Sequence, residues 1–123
     1  MSDELEATVT HGSAQDSFVV RVGGDIDYAS ASKLEEALDL AHRVNAPRAI
    51  VDLSGTDFAD SSILHVLLAA QRAHRARGRL LIVSGPFSDT VRRLFDVTGT
   101  AGFFVLADDV QTAMALPFEG DAR

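Results

Sequence analysis

Three features of the 123-residue chain predict an α/β fold built on a single mixed, largely parallel sheet. Two short continuous apolar runs, Ala49–Leu53 and Leu80–Val83, read as strands covered on both faces, as in a parallel sheet flanked by helices. Helical patterns separate these runs from their neighbours, and such alternation implies crossover units. The opening segments instead alternate apolar and polar residues, which marks an antiparallel edge pair with one solvated face.

Along the chain, Leu5, Ala7 and Val9 set the first strand. The polar stretch His11–Asp16 joins it to a second strand through Phe18, Val20 and Val22, which Gly23-Gly24 stops. Leu34, Ala37, Leu38, Ala41 and Val44 recur at helical spacing. Ser30 or Ser32 is the expected N-cap of that helix, Ser32 and Glu35 the capping box, and Pro47 the closure. After the Ala49–Leu53 strand, a helix over 61–77 carries Leu64, Leu67 and Leu68 and ends at Gly78. After Leu80–Val83, Ser88 or Asp89 caps a third helix through Val91, Leu94 and Phe95, with Gly99 just past its end. Phe103–Leu106 is the last strand, and Asp108 opens a final helix through Val110, Ala113 and Met114, stopped at Pro117. The order is β-β-α-β-α-β-α-β-α, about five strands and four helices. This is one domain over 1–123, with a core from about 5 to 116 and a short flexible tail from Phe118.

Hydrophobic residues make up 46% of the 13.1 kDa chain and charged residues 24%, a globular balance. There is no cysteine, which excludes a disulfide framework, a thiolate metal site and a cysteine nucleophile, and fits a reducing compartment. The acidic start is unlike a targeting peptide, and the longest apolar run, around Ile63–Ala70, is broken by His65 and too short to span a bilayer. A cytoplasmic domain with no membrane insertion is expected. A net charge of −7 leaves no electrostatic drive toward nucleic acid. Ten of the eleven basic residues are arginine. Arg72, His74, Arg75, Arg77 and Arg79 cluster, either as a solvated helix C-terminus or as a docking patch for an acidic partner.

Most chemistries lack their residues. His11, His42, His65 and His74 show no i,i+4 pairing or helical zinc signature, so no metal is expected. Asp60, Ser61 and His65 resemble a hydrolytic trio, but no Gly-x-Ser-x-Gly elbow accompanies them. Gly23-Gly24 is followed by Asp25 and Asp27, the wrong sign for a phosphate cradle. Asp52 sits like a phospho-acceptor, but the single lysine, Lys33, lies on the wrong element. No catalytic residue and no cofactor are expected. Phe58-Ala-Asp-Ser-Ser62 remains, at a strand-to-helix junction. One serine suffices to cap a helix, a contribution of about 1 kcal/mol. The second hydroxyl is free for modification, where the helix dipole tolerates the added charge of about −1.5 to −2.

Three stretches in register carry a resemblance: Gly24-Asp25-Ile26-Asp27, Phe58-Ala-Asp-Ser-Ser62 and Arg93-Leu-Phe-Asp-Val-Thr-Gly99. With the element order, they make the chain similar to the STAS-domain anti-sigma-factor antagonists of bacteria from about Leu5 to Met114. The resemblance implies a partner-switching regulator of transcription rather than an enzyme. Unphosphorylated, such a protein binds an anti-sigma factor that is itself a serine kinase. Phosphorylation of the serine after the aspartate, here Ser61 with Ser62 as second choice, releases it, and a metal-dependent serine phosphatase resets it. The implied partner-binding surface comprises Asp27, Tyr28, Phe58, Asp60, Ser61, Ser62 and Ile63. The family has glycine where this chain has Ile63; a branched side chain there either packs beneath the helix or projects at the kinase. The alternative is a non-phosphorylated STAS scaffold or adaptor subunit of another assembly, for example a transport complex, with both serines serving as caps.

Overall fold

The computed structural model describes residues 8–14 and 16–116. Leu5, Ala7, Pro117 and the expected tail lie outside the described residues. The elements are β1 (Thr8–Ala14), β2 (Ser17–Ile26), α1 (Tyr28–Arg43), β3 (Arg48–Ala59), α2 (Ser62–Ala76), β4 (Leu80–Ser84), α3 (Asp89–Thr98), β5 (Val105–Ala107) and α4 (Val110–Ala115). One five-stranded sheet runs β1-β2-β3-β4-β5, antiparallel between β1 and β2 and parallel elsewhere. The predicted class and element order are those observed.

The parallel strands alternate their side chains between two cores, as a pleated strand must. Val20, Val22, Val51, Leu81 and Val83 meet α1, α2 and α3 in the larger core, and Val19, Ile50, Leu80 and Ile82 meet α4 in a smaller one. Phe95 anchors α3, with the rings of Phe87 and Phe104 edge-on at 5.8 and 5.7 Å. Such aromatic pairs contribute about 0.5–1.5 kcal/mol each beyond area burial.

Several boundaries differ from expectation. β1 runs on to Ala14, so most of the presumed connecting stretch from His11 is strand. β2 is covered on both faces over Phe18, Val19 and Val20, because α4 packs on the side taken to be solvated. Gly23-Gly24 does not stop β2. The ladder to β3 continues to Ile26 through two register shifts, between Arg21 and Gly23 and between Gly24 and Asp25. Thr56 Oγ1 donates to Val22 O at 2.7 Å within this bulged region. Gly24 there has φ +85°, a conformation that favours glycine. β3 is correspondingly longer than Ala49–Leu53. β5 begins two residues later than predicted, since Ala101–Phe103 forms a 3-10 turn.

Helix starts also differ. Asp27 caps α1: its Oδ1 accepts from Ser30 N at 2.9 Å, and Ser30 Oγ accepts from Asp27 N at 2.8 Å. Ser32, the expected box residue, lies inside the helix and donates to Ala29 O. Aspartate outcompetes the downstream serines because it stands where β2 ends and the first free N–H groups begin. Ser88 caps α3, as one of the two candidates, while Asp109 rather than Asp108 caps α4. No described helix is long and apolar enough to cross a membrane.

Candidate functional site

The bulged end of β2 delivers Asp27 beside the end of β3. Asp25 pairs with Phe58, Ile26 pairs with Ala59, and Asp60 N donates to Ile26 O at 3.1 Å. The two strand ends therefore hand the chain into α1 and α2 side by side. That end of a parallel sheet, where helix N-termini collect, is where α/β folds place their ligands.

Asp60 organises the start of α2. Its Oδ1 accepts from Ser62 N at 2.9 Å and also from the Ser62 hydroxyl. Ser61 already has helical dihedrals, φ −67° and ψ −13°, and makes no side-chain cap. The cap is thus the aspartate, not Ser61 or Ser62 as expected. The consequence is chemical: Ser62's hydroxyl is engaged and half-buried, whereas Ser61's is exposed and has no hydrogen-bond partner among the described residues.

The other expected site residues divide. Tyr28 is 84% exposed and Phe58 46% exposed, two exposed aromatic rings at the same end of the molecule. Tyr28, Asp60, Ser61 and Ser62 line a cleft of about 740 Å³ between α1 and α2. Its other wall is Ser32, Glu35, His65 and Val66; sequence reasoning set His65 beside Ser61 but missed the other three, for which helical spacing from Tyr28 (i+4 to Ser32) was the available signal. Ile63 is the exception. It is 1% exposed and packs in the larger core, so its side chain is beneath the helix and off the surface. Hydrogen bonds from the Ser30 backbone N–H, then from its hydroxyl, hold the Asp27 carboxyl below its ordinary value.

Features considered for other chemistry resolve as structural. Asp52 is buried, accepts from Ser54 N and pairs with Arg21 at 3.5 Å. Within the arginine-rich cluster, His74 is buried and Arg79 is tied to His42 O and Asn45 Oδ1 at 3.1 and 2.6 Å. Arg72, Arg75 and Arg77 are exposed. Among the described residues no hydrogen bond joins His65 to Ser61 or Asp60.

A family model described as Mlab, STAS domain, matches residues 9–107. The chain belongs to the STAS-domain family. An anti-sigma-B factor antagonist of Staphylococcus epidermidis is 30% identical over 92 residues, covering 75% of this chain and 82% of the relative. The crystal structure of an anti-sigma factor antagonist from Mycobacterium paratuberculosis superposes with TM-score 0.75 at 25% identity, covering 89% and 92% of the two chains. The phosphorylated form of the Bacillus cell fate determinant SpoIIAA shares the fold, with TM-score 0.68 at 19% identity over 94% of this chain and all of that one. This STAS domain therefore stands among anti-sigma factor antagonists, which are regulatory binding proteins rather than enzymes.

Proposed function

We propose that this STAS domain is a cytoplasmic antagonist that binds an anti-sigma factor, itself a serine kinase, and is released when that kinase phosphorylates Ser61. The observation that carries the reading is the division of labour at α2: Asp60 and Ser62 satisfy the helix start, and Ser61 is left exposed with a free hydroxyl. A phosphate there sits at a helix N-terminus, which favours negative charge, so the fold tolerates it. The surface does not. Asp27, Asp57 and Asp60 already crowd that end, and a dianion added to an interface built over them meets repulsion and desolvation. A loss of about 4 kcal/mol weakens binding about a thousandfold. Tyr28 and Phe58 supply the apolar contact of the unmodified complex. A metal-dependent serine phosphatase resets the switch, and neither nucleic acid nor membrane takes part.

The test is intact-mass analysis of the protein from its own cells, with and without phosphatase treatment. One phosphate localised to Ser61, absent in Ser61→Ala with binding retained, is the expected result. A phosphate on Ser62 instead, or none under any growth condition, overturns it. The latter would leave the adaptor reading, in which the domain is a constant subunit of another assembly.

A further inference from the structure

Away from the Ser61 end, the seam between α1 and α2 holds two histidines with buried ring nitrogens. His74 is 1% exposed, and its Nδ1 lies 2.8 Å from the carbonyl of Ala70 one turn back. A carbonyl only accepts, so Nδ1 carries the proton and Nε2 presents a lone pair. That Nε2 is buried without a hydrogen-bond partner, and so is Nδ1 of His42. The two rings stand 5.4 Å apart between centroids at 66°. Both residues line a cavity of about 90 Å³ between the helices, with Glu35 and Asp39 on the same wall. Buried polar atoms are rarely left unpaired, and two on one small cavity call for a common partner.

We propose that this seam binds a divalent transition-metal ion of the zinc type through His42 Nδ1 and His74 Nε2, with water completing the coordination. Two imidazoles on one tetrahedral ion, with Zn–N of about 2.0–2.1 Å, bring their centroids to about 5 Å, close to the separation observed. The Ala70 carbonyl on the opposite nitrogen of His74 is the outer-shell contact that orients a metal-bound imidazole. Imidazole donors select zinc, copper or nickel over magnesium or calcium. Among the described residues no group of three or more His, Cys, Asp or Glu side chains forms a metal cluster, so this is a two-histidine site. The Arg79 guanidinium near the seam is tied to His42 O and Asn45 Oδ1. An ion there would clamp the two helices that also wall the Ser61 cleft.

The experiment titrates Zn²⁺ and Co²⁺ into the chelator-treated full chain. One ion per chain, a raised Tm with Zn²⁺ and the visible bands of tetrahedral Co²⁺ are expected, with affinity falling about tenfold or more in His42→Ala. Because His74 packs in the core, the second readout uses the unaltered protein: ¹⁵N imidazole spectra should move at His42 and His74 while His11 and His65 stay put. Shifts confined to His11 or His65, full binding by His42→Ala, or an unchanged Tm at saturating Zn²⁺ would each overturn the site and leave a buried water as the occupant of the seam.

Discussion

Ser61 and Ile63 lie two residues apart and face opposite ways, and the whole candidate site turns on that difference. Ile63 is in the core and Ser61 is in solvent, because residues two apart in a helical turn point away from each other. Ile63→Ala should therefore act through the fold, lowering stability by about 2–5 kcal/mol as buried aliphatic truncations do, and denaturant melts read this directly. Tyr28→Ala and Phe58→Ala should do the reverse. Their side chains are exposed, so stability should change by no more than about 0.5 kcal/mol. Affinity for the anti-sigma partner, measured by calorimetry, should drop at least tenfold, the mark of an aromatic anchor. Equal loss of stability and binding in the aromatic variants would place those rings in the core's service instead.

At the scale of elements, the helix starts carry the pH dependence. Asp27 and Asp109 cap α1 and α4, and in each the hydrogen bond from the capped backbone N–H leads the causes that hold the carboxyl below its ordinary value of 3.8. A carboxyl depressed in the folded state contributes stability that is present above 3.8 and lost as pH falls through the folded value. Thermal melts from pH 7 to below 3 should show that loss, and Asp27→Asn with Asp109→Asn should flatten the acid limb while preserving cap geometry. An unchanged acid limb in the double variant would assign the effect to other carboxylates. Elements were otherwise legible where periodicity speaks. Val20, Val22, Leu34, Leu38, Val51, Leu64, Leu67 and Phe95 follow their spacings into the core. Boundaries were not, for local reasons. The Gly23-Gly24 pair reads as a breaker, yet the ladder to β3 runs through it with a register shift on either side and Gly24 at φ +85°; no one-dimensional pattern distinguishes a bulge glycine from one that ends a strand. The motif around Ser61 was visible as residues. Which hydroxyl stays free depends on Asp60 turning back onto Ser62, a three-dimensional fact.

Over the whole molecule, charge and function separate along α2. Its first turn stands in the acidic end with Ser61, and its last turns carry the exposed Arg72, Arg75 and Arg77. At 1.5 Å per residue, Arg72, Arg75 and Arg77 stand about 16, 21 and 24 Å along the helix axis from Ser61, about two to three Debye lengths of about 8 Å at physiological salt. The three arginines are also suited to a helix C-terminus, where they complement the dipole. Reversing Arg72, Arg75 and Arg77 to glutamate together should therefore leave phosphorylation at Ser61 and affinity for the anti-sigma partner within about twofold. The same triple variant should lower Tm slightly, since it places three negative charges at the negative end of the dipole, and added salt should restore most of the difference by screening. If instead the variant abolished partner binding at unchanged Tm, the arginine end would be a second docking surface, and its acidic partner would have to reach across the length of α2.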